Sequence, residues 1–205
     1  MENSIPKERS RPAPAGGSNE HTPKEEGKGM FGFTVFLLSE SVIFLSFFMA
    51  YIALRATSHH WLPPGVPPLE LSKPAINTVV LVSSSFVIYF AERALDRHNL
   101  NQFRLLWLTT SAMGIYFLVG QAIEWSGLSF KLTTGALGGT FYVLTGFHGL
   151  HVFAGVVLQM LMLIRSFLPG NYNSGHFGVS ASSLFWHFVD VIWVILFSLI
   201  YLWRP

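Results

Sequence analysis

A histidine and an aspartate interrupt the apolar run Trp186-His187-Phe188-Val189-Asp190-Val191-Ile192-Trp193, which continues to Trp203. At i and i+3 they share one helix face, where they can hydrogen-bond each other or a neighbouring helix. Glu40, between Phe31 and Leu54, and the pair in His148-Gly149-Leu150-His151 are embedded in the same way. Ionisable groups in such surroundings are costly and normally face protein, water or a specific partner. These residue types offer proton holding, metal ligation or interhelical hydrogen bonding.

The elements that must position them are apolar runs long enough to cross a bilayer, which takes about 20 residues. Hydropathy predicts five spans, at about 31–54, 75–96, 104–124, 139–165 and 183–203. The Pro-rich stretch from His59 to Pro68 follows the first span and cannot be helical throughout, because each proline removes a donor and restricts its predecessor. A turn around Asn99-Leu100-Asn101 joins the second and third spans. The expected class is all-α: a polytopic membrane protein with one five-helix transmembrane domain over residues 30–205. Residues 1–29 are rich in Lys, Arg, Glu, Pro and Gly and read as a disordered cytoplasmic tail. With no apolar run before Met30, that tail does not read as a secretory signal peptide.

Composition agrees. The chain is 51% hydrophobic and 12% charged, with a mean hydropathy of +0.45, whereas a soluble domain carries roughly 25% charged residues. Cysteine is absent, which removes disulfides, thiolate metal sites and cysteine nucleophiles. No serine or threonine nucleophile with a base at motif spacing appears, and no nucleic-acid partner is expected from a pI near 9.0. Basic residues in such a chain set orientation instead. With the N-terminus inside, Lys7, Arg9, Arg11, Lys24, Lys28, Arg93, Arg97, Arg104 and Arg165 fall inside, against Arg55, Lys73, Lys131 and Arg204 outside. The N-terminus is therefore expected to be cytoplasmic and the C-terminus outside. Trp61, Trp107, Trp125 and Trp203 fall near span ends, as interfacial anchors do.

Glu40 lies about nine residues into its span, roughly 14 Å deep, and His148 and His151 lie roughly 14 to 18 Å deep from the opposite side. The three groups share a depth, so Glu40 can meet either histidine. A structural hydrogen bond and a proton-handling role both fit Glu40. For His148 and His151, metal or haem ligation competes with plain hydrogen bonding, and the latter is favoured because metal sites usually need three or four ligands. His187 and Asp190 read as packing ties rather than a catalytic dyad. Glu124, beside Trp125, reads as interfacial, and Arg165 at an inner span end suits an anionic lipid headgroup. Gly114, Gly120, Gly146, Gly149, Ala154 and Gly155 are expected to let helices approach closely.

Several blocks together resemble subunit III of the haem–copper oxidases, most of all the five-helix bacterial form of cytochrome c oxidase subunit III. They are Leu38-Ser39-Glu40 with Phe44–Tyr51, Gly114-Ile115-Tyr116-Phe117 with Gln121 and Glu124, Thr145 to Val152, His176-Phe177-Gly178, and Phe185 to Trp193. The resemblance runs from about residue 30 to the C-terminus. It implies a non-catalytic subunit of a proton-pumping complex in aerobic respiration, without a cofactor or metal of its own; haem and copper sit in partner subunits. It also implies packing against subunit I, association with subunit II, and phospholipids held in a cleft of the bundle. Glu40 matches the family's buried, carbodiimide-reactive glutamate, and Arg165 a basic residue near bound lipid. His148, His151, His187, Asp190, Gln121 and Glu124 are implied to be polar structural or proton-related residues rather than ligands. The implied location is a bacterial energy-transducing membrane, plasma or internal. Two other readings stay open: the equivalent subunit of a quinol oxidase, and an independent proton-coupled transporter using Glu40 and the histidines. The absence of an inverted repeat argues against the transporter.

Overall fold

The computed structural model describes residues 23–58, 61, 62, 65, 67, 69–168, 172 and 176–203. Most of the expected tail, His59, His60 and much of the Pro-rich stretch lie outside the described residues. The rest forms five helices: α1 (Pro23–Thr57), α2 (Ser72–Asp96), α3 (Leu100–Gly127), α4 (Gly135–Arg165) and α5 (Phe177–Phe197), the last continued by a π-helical turn over Ser198–Leu202. All five are long and apolar enough to cross a membrane. The polytopic all-α class read from hydropathy is therefore the observed one.

These helices carry apolar residues on every face, because one face meets lipid and the other meets protein. Many serines and threonines inside them satisfy their hydroxyls by donating to the carbonyl four residues back, as Thr109 does to Leu105 (2.9 Å) and Thr145 to Phe141 (2.7 Å). Helix α1 starts at Pro23, inside the stretch read as tail. Proline suits a helix start, where its missing N–H needs no partner.

The α2–α3 turn is a Schellman motif. The Asn99 N–H donates to Ala94 O (2.9 Å) and the His98 N–H to Leu95 O (2.8 Å). His98 takes φ +56°, where glycine is usual. Asn99 then caps α3 by accepting from the Gln102 N–H at 3.1 Å. So tight a turn forces α2 and α3 together as antiparallel neighbours.

Helices α2, α3, α4 and α5 close a ring, and α1 lies outside it against α5 and α4. The ring is filled by Trp107, Trp186, Trp193, Phe103, Phe117 and Phe141, all essentially inaccessible. Trp186 is the central wedge. A Cβ on Gly114 of α3 would stand 2.5 Å from its Cη2, and one on Gly155 of α4 would stand 2.8 Å from its Cε3. Only glycine leaves room for the indole at both places. Gly120 is likewise closed off by the Asn77 amide, while Gly146 sits in tight contact with the Trp125 ring. Gly149 meets nothing within 4 Å and Ala154 is exposed, so these two, expected as packing notches, take no neighbouring helix among the described residues.

Candidate functional site

Glu40 of α1 meets His151 of α4, with Oε2 and Nε2 3.1 Å apart. The other ring nitrogen, Nδ1, lies 2.9 Å from the Phe147 carbonyl oxygen one turn earlier. A carbonyl only accepts, so Nδ1 carries a hydrogen. The Nε2–Oε2 contact then requires one further proton, on the carboxyl in a neutral pair or on the ring in an ion pair. Two helices are thus joined through a single shared proton. Phe44 (centroid 5.0 Å), Phe147 (4.8 Å) and Phe185 (6.2 Å) surround the His151 ring and keep the local dielectric low. The pair is not sealed: the side chains remain 12% (His151) and 18% (Glu40) exposed.

His148 does not join them. Three residues on a helix turn the side chain by roughly 60° net, enough to point His148 inside the ring while His151 faces α1. There it stacks on Trp193 (4.8 Å) and meets the Phe117 ring edge-on (5.8 Å). It is fully buried, and neither ring nitrogen has a hydrogen-bond partner among the described residues. The two histidines therefore do not converge, and no group of three or more His, Cys, Asp or Glu able to hold a metal ion occurs among the described residues.

The Trp186–Trp193 block lies along α2. The Trp186 indole N–H donates to Ser84 Oγ (2.8 Å) and the Trp193 indole N–H to Thr78 Oγ1 (2.9 Å). Ser85 donates to Asp190 Oδ2, and His187 Nδ1 lies 3.1 Å from the same Ser85 oxygen. One hydroxyl thereby bridges His187 and Asp190. One helical turn before His187 on α5, Ser183 donates to Glu92 Oε2 of α2 at 2.7 Å. Every member of this ladder points at the neighbouring helix, which is the geometry of an interhelical tie.

Among known proteins, the family described as Cytochrome c oxidase subunit III matches residues 14–205. The chain belongs to the cytochrome c oxidase subunit III family. Cytochrome c oxidase subunit 3 of Synechocystis sp. is 49% identical over 175 residues, covering 84% of this chain and 75% of the relative. That of Thermostichus vulcanus is 44% identical over 184 residues, covering 89% and 91%. The human protein of the same name is 38% identical over 189 residues, covering 89% and 72%.

In this subunit III chain, further polar residues lie toward the helix ends. Gln121 is buried and donates to Glu124 Oε2 at 3.3 Å. Tyr201 donates to Glu124 Oε1 at 2.8 Å. Glu124, read from sequence as interfacial, therefore anchors the end of α5 to α3. Close by, Tyr51 donates to the Leu199 carbonyl (3.1 Å) and accepts from Arg55 (2.8 Å), whose guanidinium lies over Trp203 (4.7 Å) and Trp61 (5.5 Å). Leu199 and Tyr201 both lie in the π-helical turn, whose wider winding presents carbonyls and side chains at angles an α-helix does not.

At the other end, Arg104 donates to the Ser166 hydroxyl (3.1 Å) and carbonyl, tying α3 to the end of α4. Arg165 stands in the last turn of α4. Burial pushes the Tyr172 hydroxyl above its usual range, and the Arg165 charge pulls it partly back. Trp107, expected as an interfacial anchor, is instead wholly buried and donates to the Gln159 carbonyl at 2.8 Å; helix α3 starts at Leu100, so Trp107 stands two turns inside it.

Sequence reading missed Thr78, Ser84, Ser85, Glu92, Ser183 and Tyr201. A signal existed for the serines: Ser83-Ser84-Ser85 interrupts an otherwise apolar span. None existed for Tyr201, whose direction depends on the π-helical turn.

Proposed function

We propose that this chain is the non-catalytic third subunit of a proton-pumping cytochrome c oxidase, and that Glu40 and His151 are its proton-holding pair. The observation that carries the reading is the 3.1 Å contact at mid-membrane depth, with His151 Nδ1 committed to the Phe147 carbonyl. Such a pair exchanges one proton between carboxyl and imidazole without net transfer of charge out of the site. Its partial exposure at the α1–α4 seam leaves a route for exchange with a neighbouring subunit or with water. In this reading electron transfer and oxygen reduction belong to haem- and copper-bearing partners. Subunit I packs directly on this chain and subunit II completes the core.

Lipid binding fits the same seam. An almost wholly apolar groove of about 300 Å³ runs between α1 (Phe47, Ala50, Leu54) and α4 (Ala136, Thr140, Val143), suited to an acyl chain. Arg165, at the other end of α4, suits a phospholipid headgroup in the inner leaflet. We place the N-terminus in the cytoplasm and the C-terminus outside, in a bacterial energy-transducing membrane, from the balance of basic residues.

The test is Glu40→Ala in the intact complex. It should assemble and co-purify with the haem- and copper-bearing subunits, yet alter proton uptake or shorten activity lifetime during turnover. Unchanged proton stoichiometry together with unchanged turnover lifetime would overturn the role given to Glu40. A binuclear copper motif in the neighbouring subunit II identifies cytochrome c, rather than quinol, as the electron donor.

A further inference from the structure

Among the described residues, Tyr116 is the tyrosine with an unsatisfied hydroxyl that is set deepest in a span. Tyr51, Tyr142, Tyr172 and Tyr201 each donate to a carbonyl or carboxylate. Tyr89 makes no hydrogen bond among the described residues either, but its backbone sits only roughly 7 Å inside the hydrocarbon boundary, with the Arg93 guanidinium 5.0 Å from its ring centroid. Tyr116 is 51% exposed and makes no hydrogen bond among the described residues.

Its depth makes that exposure informative. Along α3 it lies about 24 Å from Leu100 and about 16 Å from Gly127. A helix of about 42 Å overhangs a hydrocarbon core of about 30 Å, so the Tyr116 backbone sits roughly 10 Å inside the nearer boundary. Its side chain leans toward the helix N-terminus, hence toward the bilayer centre rather than the nearer headgroups. Lipid tails offer no acceptor there, and an unpaired hydroxyl in hydrocarbon is unfavourable. A tyrosine facing lipid belongs at the interface, where its hydroxyl is wet. On the same face Thr109 and Ala112 are small and exposed, and Thr109 has already spent its hydroxyl on Leu105. A second helix can therefore approach closely beside the Tyr116 ring.

We propose that the α3 face centred on Tyr116 docks a transmembrane helix of a partner oxidase subunit, which presents a hydrogen-bond acceptor to the Tyr116 hydroxyl near the bilayer centre. The proposal rests on the reading of this chain as an oxidase subunit and adds to it the surface and the chemistry of the contact. It also separates two faces of the molecule: the α1–α4 seam carries the shared proton, and the α3 face carries the assembly contact.

The experiment places photoreactive benzoylphenylalanine at Val119, one turn from Tyr116 and 53% exposed, and irradiates the whole complex in its native membrane. A covalent adduct with another oxidase subunit is expected. Adducts with lipid only, or with a second copy of this chain, would overturn the proposal while the haem-bearing subunits still co-purify. Purified wild-type material without haem-bearing subunits would instead overturn the oxidase reading, and this proposal with it. Tyr116→Phe provides the second measurement, because it keeps the ring and removes only the hydroxyl. The chain should be retained in the complex roughly threefold less tightly, with its own thermal stability unchanged. Unaltered retention would overturn the hydrogen bond.

Discussion

The α1–α4 and α2–α5 seams draw on the same residue types, a histidine and a carboxylate inside apolar helices, and use them differently. At the first, carboxylate and imidazole meet directly across helices, inside a phenylalanine cage and at the edge of the bundle. At the second, Asp190 and His187 share one helix and meet only through the Ser85 hydroxyl of α2, flanked by two tryptophans donating to Ser84 and Thr78. A direct pair can move a proton between its members. A ladder of fixed donors and acceptors sets helix register instead. What lies across the seam, rather than the residue type, decides which of these results.

The comparison breaks first at Trp186. Trp186→Ala should destabilise the chain by about 3–5 kcal/mol, the range for truncating a large buried aromatic, because its indole fills the space between Gly114 and Gly155. Thermal unfolding of the detergent-solubilised complex measures this. A loss under about 1 kcal/mol would show that the ring of four helices does not depend on the wedge.

Next comes Asp190→Ala, which strips Ser85 of its acceptor and should cost about 1–3 kcal/mol. A double-mutant cycle with Ser85→Ala should return a coupling of at least about 0.5 kcal/mol. Additive single effects would remove the bridge from the account of this seam. Glu40→Ala should cost less, about 1 kcal/mol or under, as single interhelical hydrogen bonds in membranes do, while changing proton uptake or turnover lifetime. If Glu40→Ala proved more destabilising than Asp190→Ala, the roles of the two seams would be reversed. The smallest effect belongs to Gly149→Ala, expected within about 0.5 kcal/mol of wild type, since a Cβ there meets nothing within 4 Å. A clear loss of stability or assembly in that variant would mean that α4 is covered at this point by another subunit.

Much of the architecture was legible in the residues. The five helices fall where apolar runs predict them, with ends shifted by up to several residues, and Glu40 and His151 stand at a common depth because helical rise per residue is nearly constant. That His187 and Asp190 share one helix face was also legible. Their partners were not, because Ser84 and Ser85 differ from other serines only in which way they face. Trp107 was misplaced as an anchor because proximity to an estimated span end says nothing about whether an indole points in or out.

The sequence by itself determined the class, the number of spans and the position of each polar residue along its helix. These are one-dimensional quantities, read from apolar length and a fixed helical rise. Tertiary structure alone decided that His151 rather than His148 meets Glu40, that Ser85 bridges His187 and Asp190, and that Tyr116 is left facing outward. Each of those outcomes depends on rotation about a helix axis and on which helix lies opposite. Packing sets both: the Trp186 wedge into two glycines, the tight α2–α3 turn, and α1 lying outside the ring of the other four.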